Sequence, residues 1–142
     1  MDIDFAFICD YAQVAGGKVF AQGIGFDTIF ARKVPAKHPM FHLVVQLRAN
    51  VTEAGTKDLE VHLIDADGTD VIQPLRSKFE IPAPKGGVET VARLAMGFNN
   101  VNFPGYGSYS LHVDVQGREM VRIPLRVAQP PSRGGAPPPA NP

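Results

Sequence analysis

The sequence has no tryptophan, a single cysteine, no net charge and no long apolar run. Each absence closes off a class of function. With only Cys9, neither a disulfide framework nor a multi-cysteine zinc site is possible. Lys plus Arg and Asp plus Glu number 14 each, so the chain lacks the domain-wide basic field that nucleic acid recruits. No apolar stretch approaches the roughly 18 residues that cross a bilayer, and no membrane partner is expected. Asp2, Asp4 and Asp10 surround a short apolar run with no basic residue before it, the wrong charge for a secretory signal. A cytoplasmic location is therefore expected, with Cys9 as a small buried hydrophobe. Without a secretory route, the glycosylation spelling of Asn50-Val51-Thr52 is a coincidence.

Chain punctuation is plentiful: Gly 14 and Pro 13 in 142 residues, too much for a helical protein. That length suits one domain, which buries roughly 68–70% of its unfolded surface without a staple. Residues 129–142 hold six prolines and no apolar side chain larger than alanine, and read as a disordered, partly polyproline-II tail. The folded domain is then 1–128. No repeat of fixed period is visible.

Within the domain the recurring period is two. Phe41, Leu43, Val45, Leu47 and Ala49 alternate with His42, Gln46 and Arg48; Tyr109, Leu111, Val113 and Val115 alternate with Ser110, His112 and Asp114. Such runs have one dry and one wet face, the mark of antiparallel strands on a common core. Strands are predicted over 3–14, 18–30, 40–51, 58–65, 70–81, 88–98, 108–116 and 119–127, with no helix. Gly16-Gly17, Asp67-Gly68 and Gly117-Arg118 supply the turns. Pro124 forfeits a ladder hydrogen bond, so the last strand should lie at an edge or carry a bulge. The expected fold is an all-β antiparallel sandwich of about eight strands, immunoglobulin-like or Greek-key.

Few residues suggest chemistry. Gly23-Ile24-Gly25 opens like a dinucleotide fingerprint, but Thr28 stands where the third glycine belongs and no helix follows. Asp65-Ala66-Asp67-Gly68 fails as a calcium loop, because Leu63 and Pro74 would occupy its first and last ligand positions. No serine sits in a nucleophile elbow, and no carboxylate pair is singled out by spacing. His42, His62 and His112 fall on the polar sides of their strands; together they could hold zinc, apart they are solvated histidines. No catalytic residue, cofactor or metal site is assigned.

Three groups remain as candidate contacts. Asp10, Gln13 and Asp27 are polar residues in apolar surroundings, expected as a buried network fixing register, or else as a ligand cluster. Arg118, Arg122 and Arg126 make the last hairpin basic, opposite the acidic first strand, and are the expected interaction edge. In Phe103-Pro104-Gly105-Tyr106-Gly107-Ser108-Tyr109, Tyr109 suits a tyrosine corner and Tyr106 an exposed contact.

Several of these segments have a familiar arrangement. Asp10-Tyr11-Ala12-Gln13-Val14, Gly17-Lys18 and Gly23-Ile24-Gly25-Phe26-Asp27-Thr28-Ile29 resemble the opening of a small bacterial family, domain of unknown function 6941. Asp65-Ala66-Asp67-Gly68, the Phe103–Tyr109 segment and Gly117-Arg118-Glu119 fall where that family would place them, over roughly residues 4–127. The family often has tryptophan where this chain has Phe26. The resemblance implies a bacterial cytoplasmic β-sandwich and carries no activity, cofactor or catalytic residue. Together these readings point to a non-enzymatic interaction or structural module that self-associates or binds a protein. The alternatives are a small-ligand or carbohydrate-binding module, and a metal-dependent enzyme built on the outward histidines.

Overall fold

A computed structural model describes residues 1–131. The chain runs β1 (Asp2–Cys9), β2 (Tyr11–Ala15), β3 (Lys18–Gln22), β4 (Thr28–Phe30) and β5 (Ala36–Asn50). It continues with a 3-10 turn (Val51–Glu53), then β6 (Gly55–Asp65), β7 (Leu75–Ile81), β8 (Glu89–Phe103), β9 (Gly107–Val115) and β10 (Arg118–Ala128). The all-β expectation holds. Ten strands replace the expected eight, and one pair, β4 with β10, is parallel.

One sheet has the order β1-β5-β8 and another β4-β10-β9-β6-β7, while β2 and β3 form a separate hairpin. The two larger sheets share one core. Phe41, Leu43, Val45 and Leu47 of β5 pack in one cluster with Leu63, Leu111, Val113 and Leu125 from the other sheet. A fully buried side chain of this kind stabilises the fold by about 1.5–3 kcal/mol. Phe41 stacks on Phe98 and Phe103 meets Tyr109 edge-on, each pair with centroids 5.1 Å apart. The alternating runs therefore predicted the core face correctly.

Strand boundaries moved where backbone chemistry changes. The first expected strand splits at Asp10, where the chain leaves the sheet and the Asp10 amide donates to the Gln22 carbonyl. The hairpin that follows folds onto the outer face of the three-stranded sheet, where Ala12, Val19 and Ala21 join a second cluster with Cys9, Val44 and Ala95. Cys9 is fully buried, and that burial pushes its thiol pKa up. Strands β5 and β8 run past their expected ends through Pro39 and Asn100. Pro39 has no amide to pair, and Asn100 is left-handed at φ 51. The buried face switches there: Ala92 and Phe98 point inward before the kink, Val101 and Phe103 after it.

The turns follow the glycines. Gly16 and Gly17 both have positive φ at the β2–β3 hairpin. The last hairpin turns on Gln116-Gly117 rather than Gly117-Arg118. Asn50-Val51-Thr52 is a helix cap: the Asn50 side chain accepts from the Thr52 amide, and Glu53 reaches back to the Asn50 amide. Asp65 accepts from the amides of Asp67 and Thr69, so the acidic loop is a capped turn.

Strand β10 ends at Ala128, the expected end of the domain; of the expected tail, 132–142 lie outside the described residues. The tyrosine corner is formed. The Tyr109 hydroxyl donates to the Gly105 carbonyl at 2.6 Å and accepts from the Gly105 amide at 3.2 Å. Replacing Tyr109 by Phe should lower the free energy of unfolding by about 1–2 kcal/mol in urea titrations. An unchanged midpoint would show that the corner is not under load.

Candidate functional site

A β protein presents its sheet edges to partners, and the edges here differ sharply. The expected one is covered only at its end and is irregular over the rest. Strand β10 pairs with β9 from Arg118 to Val127, and β4 covers its other side from Arg126 to Ala128. The Arg126 amide donates to the Asp27 carbonyl at 2.8 Å. Over the uncovered stretch the register slips between Glu119 and Val121, and Pro124 supplies no donor. That placement is the one the proline predicted. Arg118, Arg122 and Arg126 are exposed, with Arg122 bonded to Glu119 at 3.3 Å. Arg118 and Arg122 lie on the uncovered stretch and Arg126 on the part that β4 covers.

The other long edges are β1, β7 and β8. Strand β1 is broken by a register shift between Ile3 and Phe5, and Asp4 is held by Arg48 and Gln46. Arg48 holds the Asp4 carboxyl below its usual pKa, with help from Gln46. Strand β7 spans seven residues, and its Arg76 and Lys78 pair with Glu60 and Asp58 directly across the ladder. Strand β8 is different. It is 15 residues long, its register with β5 is unbroken from Glu89 to Asn99, and nothing pairs with its other side. Just before it, Val88 is 74% exposed, the highest value among the large apolar residues.

Between β7 and β8 runs a groove lined by Leu75, Phe79, Leu94 and Met96 together with Arg76, Lys78 and Arg93. Ala12 and Val14 of the hairpin also line it. The direction of the free backbone groups is fixed by one bond: the Val88 carbonyl accepts from the Val51 amide on the β5 side at 3.1 Å. Alternation along a strand then turns the amides and carbonyls of Glu89, Val91 and Arg93 toward the open edge.

The remaining candidates do not assemble. Asp10, Gln13 and Asp27 are all exposed, and no hydrogen bond joins them among the described residues. The expected buried network is corrected: the apolar neighbours that suggested it turn inward at alternate positions while these three face out. Asp10 instead lies over Gly23, where an added Cβ would come within 2.3 Å of its carboxylate oxygen. Asp27 accepts from the Thr28 hydroxyl at 2.9 Å, and Gln13 lines the β7–β8 groove. Tyr106 is exposed but tethered, its hydroxyl donating to the Ala31 carbonyl at 2.9 Å.

The histidines divide two and one. His62 and His112 are cross-strand partners on the five-stranded sheet, whereas His42 lies on the other sheet. His62 sits between Asp70 at 3.0 Å and Glu60 at 2.7 Å, and these carboxylates, Asp70 foremost, raise its pKa. His112 contacts Ser110 and Glu119. The His42 ring meets Tyr11 edge-on at 4.9 Å and fills the space over Gly97. Among the described residues no three His, Cys, Asp or Glu side chains are grouped to hold a metal.

A family model matches residues 4–128, the stretch that ends with β10. The chain belongs to DUF6941, a family of unknown function. No curated protein matches this DUF6941 chain. Among solved structures, it is similar to the Pseudomonas fluorescens alkylpurine DNA glycosylase AlkC bound to DNA containing an abasic site analogue. That likeness has 12% identity and a TM-score of 0.41, and it covers 87% of this chain and 30% of the other. Among the described residues no helix is long and apolar enough to cross a membrane.

Since Asp27 is exposed, Asp27→Ala should change stability by no more than about 0.5 kcal/mol and leave the melting temperature in place. A large drop by calorimetry would restore the network that the sequence suggested.

Proposed function

We propose that this DUF6941 chain is a non-enzymatic interaction module that docks through an open sheet edge. The carrying observation is β8: a 15-residue strand with one side unpaired, bordering a groove lined by both apolar and basic residues. Edge strands are a hazard that folded chains blunt with bulges, prolines and charge, and the other edges here are blunted in those ways. An edge left long and regular offers main-chain hydrogen bonds to an incoming strand. We read the two sheets as an immunoglobulin-like sandwich, supported by their common core and the Tyr109 corner. A cytoplasmic setting is supported by the buried, unpaired Cys9.

A second reading, a small-ligand or carbohydrate module, is favoured by a different feature. Asp10, Ile24, Phe26, Phe30 and His38 line a shallow surface groove, with Ile24 59% and Phe30 58% exposed. The three-histidine enzyme loses its site, since His42 lies on the opposite sheet from His62 and His112.

Native mass spectrometry of protein purified gently without chelators separates the readings. Discrete multiples of the bare chain mass favour self-association, and a bare monomer favours a module that docks to another protein. A monomer carrying a bound small molecule would contradict the interaction module and favour the ligand groove.

A further inference from the structure

Which chain the β8 edge accepts can be read from its own residues. The segment Val88-Glu89-Thr90-Val91-Ala92-Arg93-Leu94 is complementary to itself when reversed about Val91. In antiparallel pairing of two copies about that residue, Glu89 of each faces Arg93 of the other. Val88 then meets Leu94, Thr90 meets Ala92, and the two Val91 residues meet each other. Opposite charges and apolar residues in directly facing positions stabilise an antiparallel pair.

The backbone supports the same register. A two-fold axis at Val91 pairs odd-numbered residues with odd-numbered residues. Glu89, Val91 and Arg93 are the ones whose amides and carbonyls face the open edge, as the Val51–Val88 bond dictates. Each copy can therefore exchange hydrogen bonds with the other at all three positions. A register shifted by one would put the inward-turned groups of Thr90 and Ala92 at the junction. The charges are also available. Arg93 has no ion pair among the described residues, and Glu89 has only a 3.6 Å contact to Arg48, which is itself held by Asp4 at 2.8 Å. The exposure of Val88 is what an unburied contact across such a junction would leave.

We propose that the partner is a second copy of this chain, joined β8 to β8 about Val91, so that two three-stranded sheets become one six-stranded sheet. This rests on the edge-docking reading above and adds the partner and the register. The contact is isologous and closes at two copies, as a two-fold interface must.

Sedimentation velocity over about 1–300 µM, a range suited to a small interface, tests it with three variants. The unaltered chain is expected to dimerise. Arg93→Glu puts two glutamates opposite two glutamates and should weaken the dimer about tenfold or more, as should Glu89→Arg. The double variant Glu89→Arg with Arg93→Glu exchanges the signs, keeps the complementarity and should restore the dimer. Circular dichroism melts confirm that each variant is folded. A dimer indifferent to Arg93→Glu, or not recovered in the double variant, overturns this register while the edge-docking reading stands. A chain that stays monomeric throughout overturns self-association, and a monomer carrying small-molecule mass overturns the edge-docking reading as well.

Discussion

The constraint on which everything here depends is backbone hydrogen bonding in a chain almost without helix. A helix satisfies its own amides and carbonyls, but a strand must find a neighbour for each side. Eight strands settle this in two sheets that share a core, and the hairpin of β2 and β3 lies over one outer face. The devices at the margins follow from the same need. Strand β4 covers the end of β10, Pro124 removes a donor where cover stops, and β1 breaks its ladder between Ile3 and Phe5. The strand left over is β8.

Alternation of apolar residues made the core legible before any coordinates. Leu43, Val45, Leu111 and Val113 are fully buried, as their period-two spacing required. The same rule misplaced strand ends wherever the local backbone broke the period. Pro39 and Asn100 switch the buried face within single strands, so a strict reading stopped β8 at Phe98, five residues early. The parallel pairing of β4 with β10 joins segments nearly a hundred residues apart, and no local pattern carries that information.

The site was harder to read than the fold, for a physical reason. Being at an edge is a property of sheet order, and sheet order is set by long-range packing. The arginines of β10 drew attention because charge is visible in sequence, yet the uncovered part of their strand carries a register slip and Pro124. The signal that did lie in the sequence was the reversed complementarity of Glu89 and Arg93 about Val91. It has meaning only once β8 is known to be unpaired. The polar faces behave similarly: His62 and His112 meet across a ladder and are answered by nearby carboxylates, contacts that no local pattern announced.

Amide hydrogen exchange resolved by residue tests the central claim most directly. With β8 joined to a second β8, the amides of Glu89, Val91 and Arg93 should be protected at high protein concentration and lose that protection on dilution. Those of Thr90 and Ala92, which face β5, should stay protected at every concentration. Fast exchange of Glu89, Val91 and Arg93 at all concentrations would contradict the account and return β8 to the status of a solvated edge.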